Sequence, residues 1–360
     1  MAEISFEQIS DLMAGTLREL GRNRFQQIAQ KLQMYPVVSR WFRKNKVQFD
    51  DGTGIQRNLM ITTSNQARHT GMMSTDSVDI PALMAQLVVN WRHMENGWSF
   101  GYQEILMNRG KSLIFNIVQP RRTDCMLSTA QELEAKAWQF APVGDNVLPW
   151  GLPFWVTYPS SPTTNGAFNG GYPTGYTTLA GINLTQAPNF QNWACPYTAV
   201  TKADLISNMR TAHRKIFWFS PVDVSDYRKG EYGDLQLYTD ETTLKAFETI
   251  GESQNENLGR DIAPFGGAED VKYVEATLTF RRHPLRWVPQ LDDTGVYTAA
   301  TNPVYMIDHS VFYPCCLSGD YLRESPVLRA PNQHNIFRIF IDLTYNYLCV
   351  DRRRNAIFSK

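Results

Sequence analysis

Charge is scarce in this 360-residue chain: Asp, Glu, Lys and Arg make up 19% of it while hydrophobic residues make up 43%. An average domain carries about 25% charged residues. More of the surface than usual is then uncharged, as expected of a chain that meets other chains, although a large buried core produces the same figure. Net charge is also lacking, with Lys+Arg and Asp+Glu balanced at 35 each. Whole-molecule electrostatics therefore draw the chain to neither nucleic acid nor anionic membrane, and any DNA contact must be local. Lysine is the rarer cation, 11 against 24 arginines. Interfaces favour arginine in this way, and a GC-rich genome does too.

Cysteines number five (Cys125, Cys195, Cys315, Cys316 and Cys349), with no CxxC pair. An odd, dispersed set points to reduced, buried thiols in a cytosol-like compartment and away from a disulfide framework. The first ten residues, MAEISFEQIS, lack the basic and apolar stretches of a signal peptide. No apolar run approaches the ~20 residues that a membrane-spanning helix needs. The expectation is a soluble protein made in the cytoplasm.

Motifs of catalysis are missing as well. There is no phosphate loop, zinc helix, nucleophile elbow or EF-hand loop. Gly52 and Gly54 lack the third glycine of a dinucleotide fingerprint. The histidines (His69, His93, His213, His283, His309 and His334) stand apart, none at metal-ligand spacing. No cofactor and no metal are expected. Asp308-His309 near Cys315 and Cys316 is the nearest thing to a site, and a Cys–His nucleophile there would make the chain an enzyme. Buried thiols beside a satisfied histidine need fewer assumptions.

What the chain does contain is an ordered series of parts. Ser5 and Gln8 form a capping box ahead of Ile9, Leu12, Met13, Leu17 and Leu20 at helical spacing. Phe25, Ile28, Ala29 and Leu32 make a second stripe. Arg40-Trp-Phe-Arg43-Lys44-Asn-Lys46 follows, a basic-aromatic cluster that reads as solvated or interface-lining, with nucleic-acid phosphates as its functional partner. Two β-leaning stretches, 55–63 and 83–98, flank a polar tip at 64–79 in the pattern of a long hairpin. Such a hairpin is marginal alone in water and is expected to rest on neighbouring surfaces.

Residues 102–140 carry the longest helical pattern, with Met126, Ala130, Leu133 and Ala137 as its apolar stripe. Glu132, Glu134 and Lys136 lie on the other face, and Pro120 is placed to kink or divide the helix. Residues 158–192, rich in Gly, Pro, Thr and Asn, read as a long loop that is functional or held by a partner. Helices near 202–215 and 241–250 then alternate with strands at 216–219, 235–239, 273–282, 285–288, 304–307 and 336–350. Asp351-Arg-Arg-Arg354 reads as a solvated ionic surface, with binding of phosphate or a neighbour's carboxylates as the alternative.

Stretches such as Leu17-Arg-Glu-Leu-Gly, Gln66-Ala-Arg-His69, Val89-Asn-Trp-Arg-His93, Ser220-Pro-Val-Asp223, Pro331-Asn-Gln-His334 and Asp351-Arg-Arg-Arg-Asn355 occur in order along these parts. Together they resemble the major capsid proteins of tailed double-stranded DNA bacteriophages, the HK97 fold, over nearly the whole chain. The resemblance implies an α+β, HK97-like capsid fold. Its parts would be an N-terminal arm (1–46), an extended β-hairpin E-loop (47–100), a peripheral domain (101–195 and 270–350) with a long spine helix near 102–140, and an axial domain (196–269). It implies a structural virion protein and not an enzyme, one that self-assembles as hexamers and pentamers into an icosahedral viral shell around packaged double-stranded DNA. The implied partners are a portal and a separate scaffolding protein, the stretch from Met1 being too short for a fused one, and the presence of a cement protein is left open. No membrane is implied. Assembly is expected in the bacterial host cytoplasm and the mature location is the virion capsid. Candidates for inter-subunit contact are Arg57, Arg68, His69 and Trp91; candidates for facing DNA are Arg40, Arg43, Lys44 and Lys46. An encapsulin nanocompartment, which shares the fold, is the alternative.

Some members of that family cross-link their subunits through an E-loop lysine. Here residues 47–110 contain no lysine, Lys46 and Lys111 being the nearest on either side. Particles boiled in detergent should therefore run as a monomer band on a denaturing gel. A covalent ladder that a lysine substitution abolishes would contradict this.

Overall fold

The computed structural model describes residues 34–62, 67–72, 83–107, 118–217, 234–258, 271–274, 277–292 and 300–360. The two amphipathic stripes before residue 33 and part of the expected hairpin tip lie outside the described residues.

In chain order, a π-helix (Val37–Asn45) leads into β1 (Val47–Phe49), then β2 (Gly54–Met60), β3 (Met84–Asn90) and β4 (Arg92–Gly101). Helices α1 (Tyr102–Met107) and α2 (Val118–Ala137) follow. Next come β5 (Ala167–Gly170), β6 (Asn192–Pro196), α3 (Leu205–Lys215), β7 (Leu235–Thr239) and α4 (Glu241–Leu258). The remainder is strand-rich: β8 (Val271–Val274), β9 (Thr277–Phe280), β10 (His283–Trp287), β11 (Val304–Asp308) and β12 (Phe312–Leu317). It ends with β13 (Arg323–Glu324), β14 (Leu328–Ala330), β15 (Gln333–Cys349) and β16 (Ala356–Ser359). Contacts divide the chain into a smaller unit, holding His93–Glu132 and Gly319–Leu343, and a larger unit holding Met34–Arg92, Leu133–Ser318 and Thr344–Lys360.

The body of the larger unit is an eight-stranded mixed sheet in the order β5-β6-β16-β11-β7-β10-β9-β8. Every residue of β7, β11 and β16 is buried, as in sheets covered on both faces. Alternation along these strands sorts the side chains. Leu235, Leu237, Val304, Met306, Ala356 and Phe358 join Leu205, Ile206, Met209 and Ala212 of α3 in one cluster. Tyr238 and Tyr305 take the alternate positions and meet Trp138 at ring distances of 5.2 and 6.3 Å.

Several sequence expectations are refined here. The stretch 273–282 is two strands, β8 and β9, paired antiparallel. Ile216 is no strand residue but the C-cap of α3, and residues 218–219 lie outside the described set. Of the helix expected over 102–140, Tyr102–Met107 and Val118–Ala137 are helical, and residues 108–117 lie outside the described set. Pro120 is the third residue of the described part of α2. The buried positions of α2 are Cys125, Thr129, Leu133, Glu134 and Ala137, so the apolar stripe is shifted by one residue in its first half. A threonine can sit there because its hydroxyl donates to Cys125 O at 2.9 Å.

The terminal arginines correct the sequence reading most sharply. Asp351-Arg-Arg-Arg354 is not a solvated surface: Arg352 is fully buried, and Asp351 and Arg354 nearly so. Arg354 pairs with buried Asp308 at 2.8 Å. Arg352 has no carboxylate among its hydrogen-bond partners. Its guanidinium donates to Trp155 O (2.5 Å), Phe190 O (3.2 Å), Thr157 Oγ1 (2.9 Å), Gly171 O (3.1 Å) and Asn192 Oδ1 (2.8 Å). Burial pulls its pKa down to about 10, so it stays charged at neutral pH. The acceptors belong to a stretch, residues 146–201, without one Asp, Glu, Lys or Arg. One cation from the chain end thus organises the long loop from within, and Leu179, Ile182, Leu184 and Ala187 of that loop are buried. Two glycines permit the close packing. A side chain at Gly151 would lie 2.6 Å from Ala137 O, and one at Gly170 would overlap the Asn192 amide.

The smaller unit packs β4, α2 and β15 around Trp98, Cys125 and Ile341, with Phe100, Met126, Leu322 and Ile339 at the margin. Phe100 stacks on Phe337 at 5.6 Å. The Phe340 ring lies over Gly97, where a Cβ would come within 3.0 Å of it. Arg121 grips Glu104 in a two-point pair (2.6 and 2.9 Å), and Arg323 bridges Asp320 and Asp342 (3.2 and 2.9 Å). These pairs are solvent-exposed and each contributes little, about 0–1 kcal/mol.

Arg352→Met should leave the Trp155 and Phe190 carbonyls unpaired, strip one donor each from Thr157, Gly171 and Asn192, and destabilise the larger unit by about 3–5 kcal/mol. Limited proteolysis should then cut within 158–192. Arg352→Lys should recover little, because an ammonium cannot reproduce the fork. Denaturant unfolding together with mapping of the cleavage sites checks all three outcomes.

Candidate assembly surfaces

The basic-aromatic cluster at 40–46 is amphipathic, and its aromatic half is core. Trp41 and Phe42 are buried on one side of the π-helix. The Trp41 ring lies 5.2 Å from Trp138, 5.1 Å from His309 and 5.3 Å from Phe312. Phe42 meets Tyr345 at 5.6 Å. The reading of this cluster as wholly solvated or interface-lining is corrected accordingly: two large rings hold its root inside the larger unit.

Its N-terminus is held too. Glu134, assigned from the sequence to a polar helix face, is fully buried. Its carboxylate accepts the amides of Val37 (2.9 Å) and Val38 (3.4 Å) and the indole N–H of Trp138 (3.0 Å). Burial pushes its pKa up to about 7, against the lowering effect of those three donors.

The cationic side converges on one carboxylate. Arg40 pairs with Asp234, Lys44 Nζ lies 3.4 Å from it and Asn45 Nδ2 3.3 Å. Burial pushes the Asp234 carboxyl up, but Arg40 and Asn45 bring it below its ordinary value. Of the four candidates for facing DNA, Arg43 and Lys44 are exposed, and Arg40 and Lys46 are half-buried.

The hairpin pairs Gly54 with Asn90 through to Met60 with Met84. Its base is packed within the chain. Ile55, Leu87 and Val89 are buried, and Val88 N donates to Ala180 O at 2.9 Å. Its far end is not: Met60 and Met84, directly opposite in register, are 62% and 61% exposed. This paired apolar patch was missed in the sequence, where the register that brings two distant methionines together is invisible. Of the four contact candidates, Arg57 bonds the Tyr313 hydroxyl and Trp91 Nε1 donates to Gly52 O at 2.8 Å. Arg68 and His69 are exposed in the tip.

The His309 region is a relay of structural hydrogen bonds. Trp41 Nε1 donates to Tyr238 Oη at 2.9 Å, Tyr238 lies 2.8 Å from His309 Nε2, and His309 Nδ1 lies 3.3 Å from Phe312 O. A carbonyl only accepts, so the proton sits on Nδ1 and Tyr238 donates to Nε2. Burial lowers the His309 pKa to about 3. Burial pushes Cys316 up to about 12 and raises Cys315 and Cys349 as well. A neutral histidine with both nitrogens engaged, and thiols kept protonated by burial, activate no nucleophile. Among the described residues no group of His, Cys, Asp and Glu is placed to hold a metal, and no helix is long and apolar enough to cross a membrane.

No family model matches the chain, and no curated protein does. Solved structures do. The chain is similar to a subunit of the cyanophage A-1(L) capsid asymmetric unit, with a TM-score of 0.62 and 12% identity over 95% of this chain and 97% of that one. It is similar to the capsid of the native GTA particle (TM-score 0.52, 9% identity, 95% of each chain). It is also similar to the capsid of Myoviridae phage XM1 (TM-score 0.51, 11% identity, 95% and 97%). The chain thus has the mixed α+β, HK97-like fold of phage capsid structures over almost its full length.

Two buried groups titrate in opposite senses. Glu134 is raised in the folded state, so its contribution is complete below about pH 4.5 and is lost as pH rises toward about 7. His309 is lowered, so its contribution is complete above its ordinary 6.5 and is lost as pH falls toward about 3. Between about pH 4.5 and 6.5 the two slopes offset each other. Glu134→Gln should remove one of them, leaving stability that rises with pH across that window. Denaturant unfolding at pH 5 and pH 6.5 should show the gap widening in the variant and narrow in the parent.

Proposed function

We propose that the chain is the major capsid protein of a tailed double-stranded DNA bacteriophage, a structural subunit and not an enzyme. One observation carries the reading: the same fold spans 95% of this chain and 97% of the cyanophage capsid subunit. In this reading hexamers and pentamers of the chain close into an icosahedral shell around packaged DNA. The arm (1–46), E-loop (47–100), peripheral (101–195 and 270–350) and axial (196–269) parts keep the roles that the resemblance implies. Assembly takes place in the bacterial cytoplasm with a separate scaffolding protein and a portal, with or without a cement protein.

The geometry supports a division of labour within this scheme. A hairpin packed at its base and apolar at its far end is suited to lie on a neighbouring subunit, where burial stabilises at about 25 cal/mol per Å². Repeated around a shell, such contacts hold it without covalent links. Arg68 and His69 in the tip, with Arg57 and Trp91 nearer the base, are the polar residues placed to accompany that contact. Arg43 and Lys44 are the exposed cations of the 40–46 cluster and are the ones we assign to packaged DNA, with Arg40 and Lys46 beside them.

Replacing Met60 and Met84 together by Asp should abolish assembly, read by sedimentation, while the circular dichroism and melting of the subunit stay unchanged. Arg43→Glu with Lys44→Gln should allow shells to form but reduce the DNA they retain. Normal assembly in the first variant, or normal genome content in the second, would count against the respective assignment.

A further inference from the structure

Strands β9 and β10 form a hairpin whose two-residue connection breaks the rule for such turns. Phe280 pairs with His283, so Arg281 and Arg282 are its two central residues. Both have left-handed backbones, φ 46° and 70°. A turn of this kind needs positive φ at both positions, and Asn-Gly or Asp-Gly meets that need. Arginine there is strained, because its Cβ crowds the backbone. Two consecutive side chains that oppose the local geometry mark a position kept for something other than folding.

Among the described residues, the turn meets a helix end that carries cations. Arg281 Nη1 donates to His213 Nδ1 at 3.3 Å, which sets the turn against the last turn of α3. That helix end carries Arg214 and Lys215, both exposed, as Arg282 is. Cations at a helix C-terminus are accounted for by the helix dipole. An Arg-Arg pair in a type I′ position is not. The pair also departs from the chain's average, in which cations and anions balance.

We propose that Arg281 and Arg282, with Arg214 and Lys215, form a second polyanion site that binds the phosphate backbone of double-stranded DNA without reading its sequence. Three of the four cations are arginines, whose planar fork takes two phosphate oxygens at once. The site lies apart in sequence from Arg43 and Lys44. It extends the capsid reading to a further DNA contact but does not depend on shell formation, since assembly and duplex binding are measured separately.

The experiment replaces Arg281-Arg282 by Asn-Gly in the full-length chain. Asn-Gly suits the turn, so melting temperature should hold or rise. Affinity of the unassembled fraction for a short fluorescent duplex should fall about tenfold or more, and the slope of log affinity against log salt should drop by about two, one for each phosphate no longer neutralised. Arg214→Glu, which leaves the turn untouched, should weaken the duplex in the same direction. Unchanged duplex affinity and salt slope in these variants would overturn the proposal. So would an equal loss of binding to poly-glutamate, which would assign the patch to an acidic protein segment. A fall in melting temperature with the duplex still bound would make the arginine pair structural and overturn it too.

Discussion

The Arg352 guanidinium is fully buried in the larger unit with no carboxylate among its partners, held by five neutral oxygens from Trp155, Thr157, Gly171, Phe190 and Asn192. An isolated buried charge is costly unless every donor is satisfied. That constraint fixes the path of the chain from 155 to 192, because only that path aims the oxygens at one point. The loop, so fixed, brings Ala180 against β3 and supports the base of the hairpin. The residues just after Arg352 run as β16 between β6 and β11. The end of the chain therefore completes the sheet and anchors a loop distant in sequence, and the elements proposed to reach other subunits rest on that rigid body.

The π-helix is held by the same principle at a second place. Trp41 fills an aromatic cavity, Glu134 takes the amides that begin the helix, and Asp234 gathers its cations. Anchoring at both ends of the motif gives the segment that precedes it a fixed point of attachment. Two buried groups in this region, Glu134 and His309, prefer their neutral forms for the same reason, loss of solvation.

Elements with plain periodicity were legible in the sequence. β7 appears at the bounds read for it, β11 extends its reading by one residue, and β2 and β3 pair as the expected hairpin. The resemblance drawn from the sequence led to the fold that the structural likeness supports. What escaped has a common cause: charged residues were assigned to solvent. Arg352, Arg354, Glu134 and Arg40 each have a partner more than 40 residues away, and no local pattern reveals such pairing. β16 was hidden behind the arginine run for that reason. Of the candidate site, the cations at 40–46 and the hairpin tip were named from sequence. The opposed methionines and the Arg281-Arg282 turn needed strand register to be seen.

The capsid account makes the rigid sheet, the anchored π-helix and the half-exposed hairpin parts of one assembly device. Electron microscopy of the purified full-length protein tests it most directly. The account predicts shells built from five- and six-fold rings. A chain that stays a monodisperse monomer at high concentration, with no particles in any field, would contradict it.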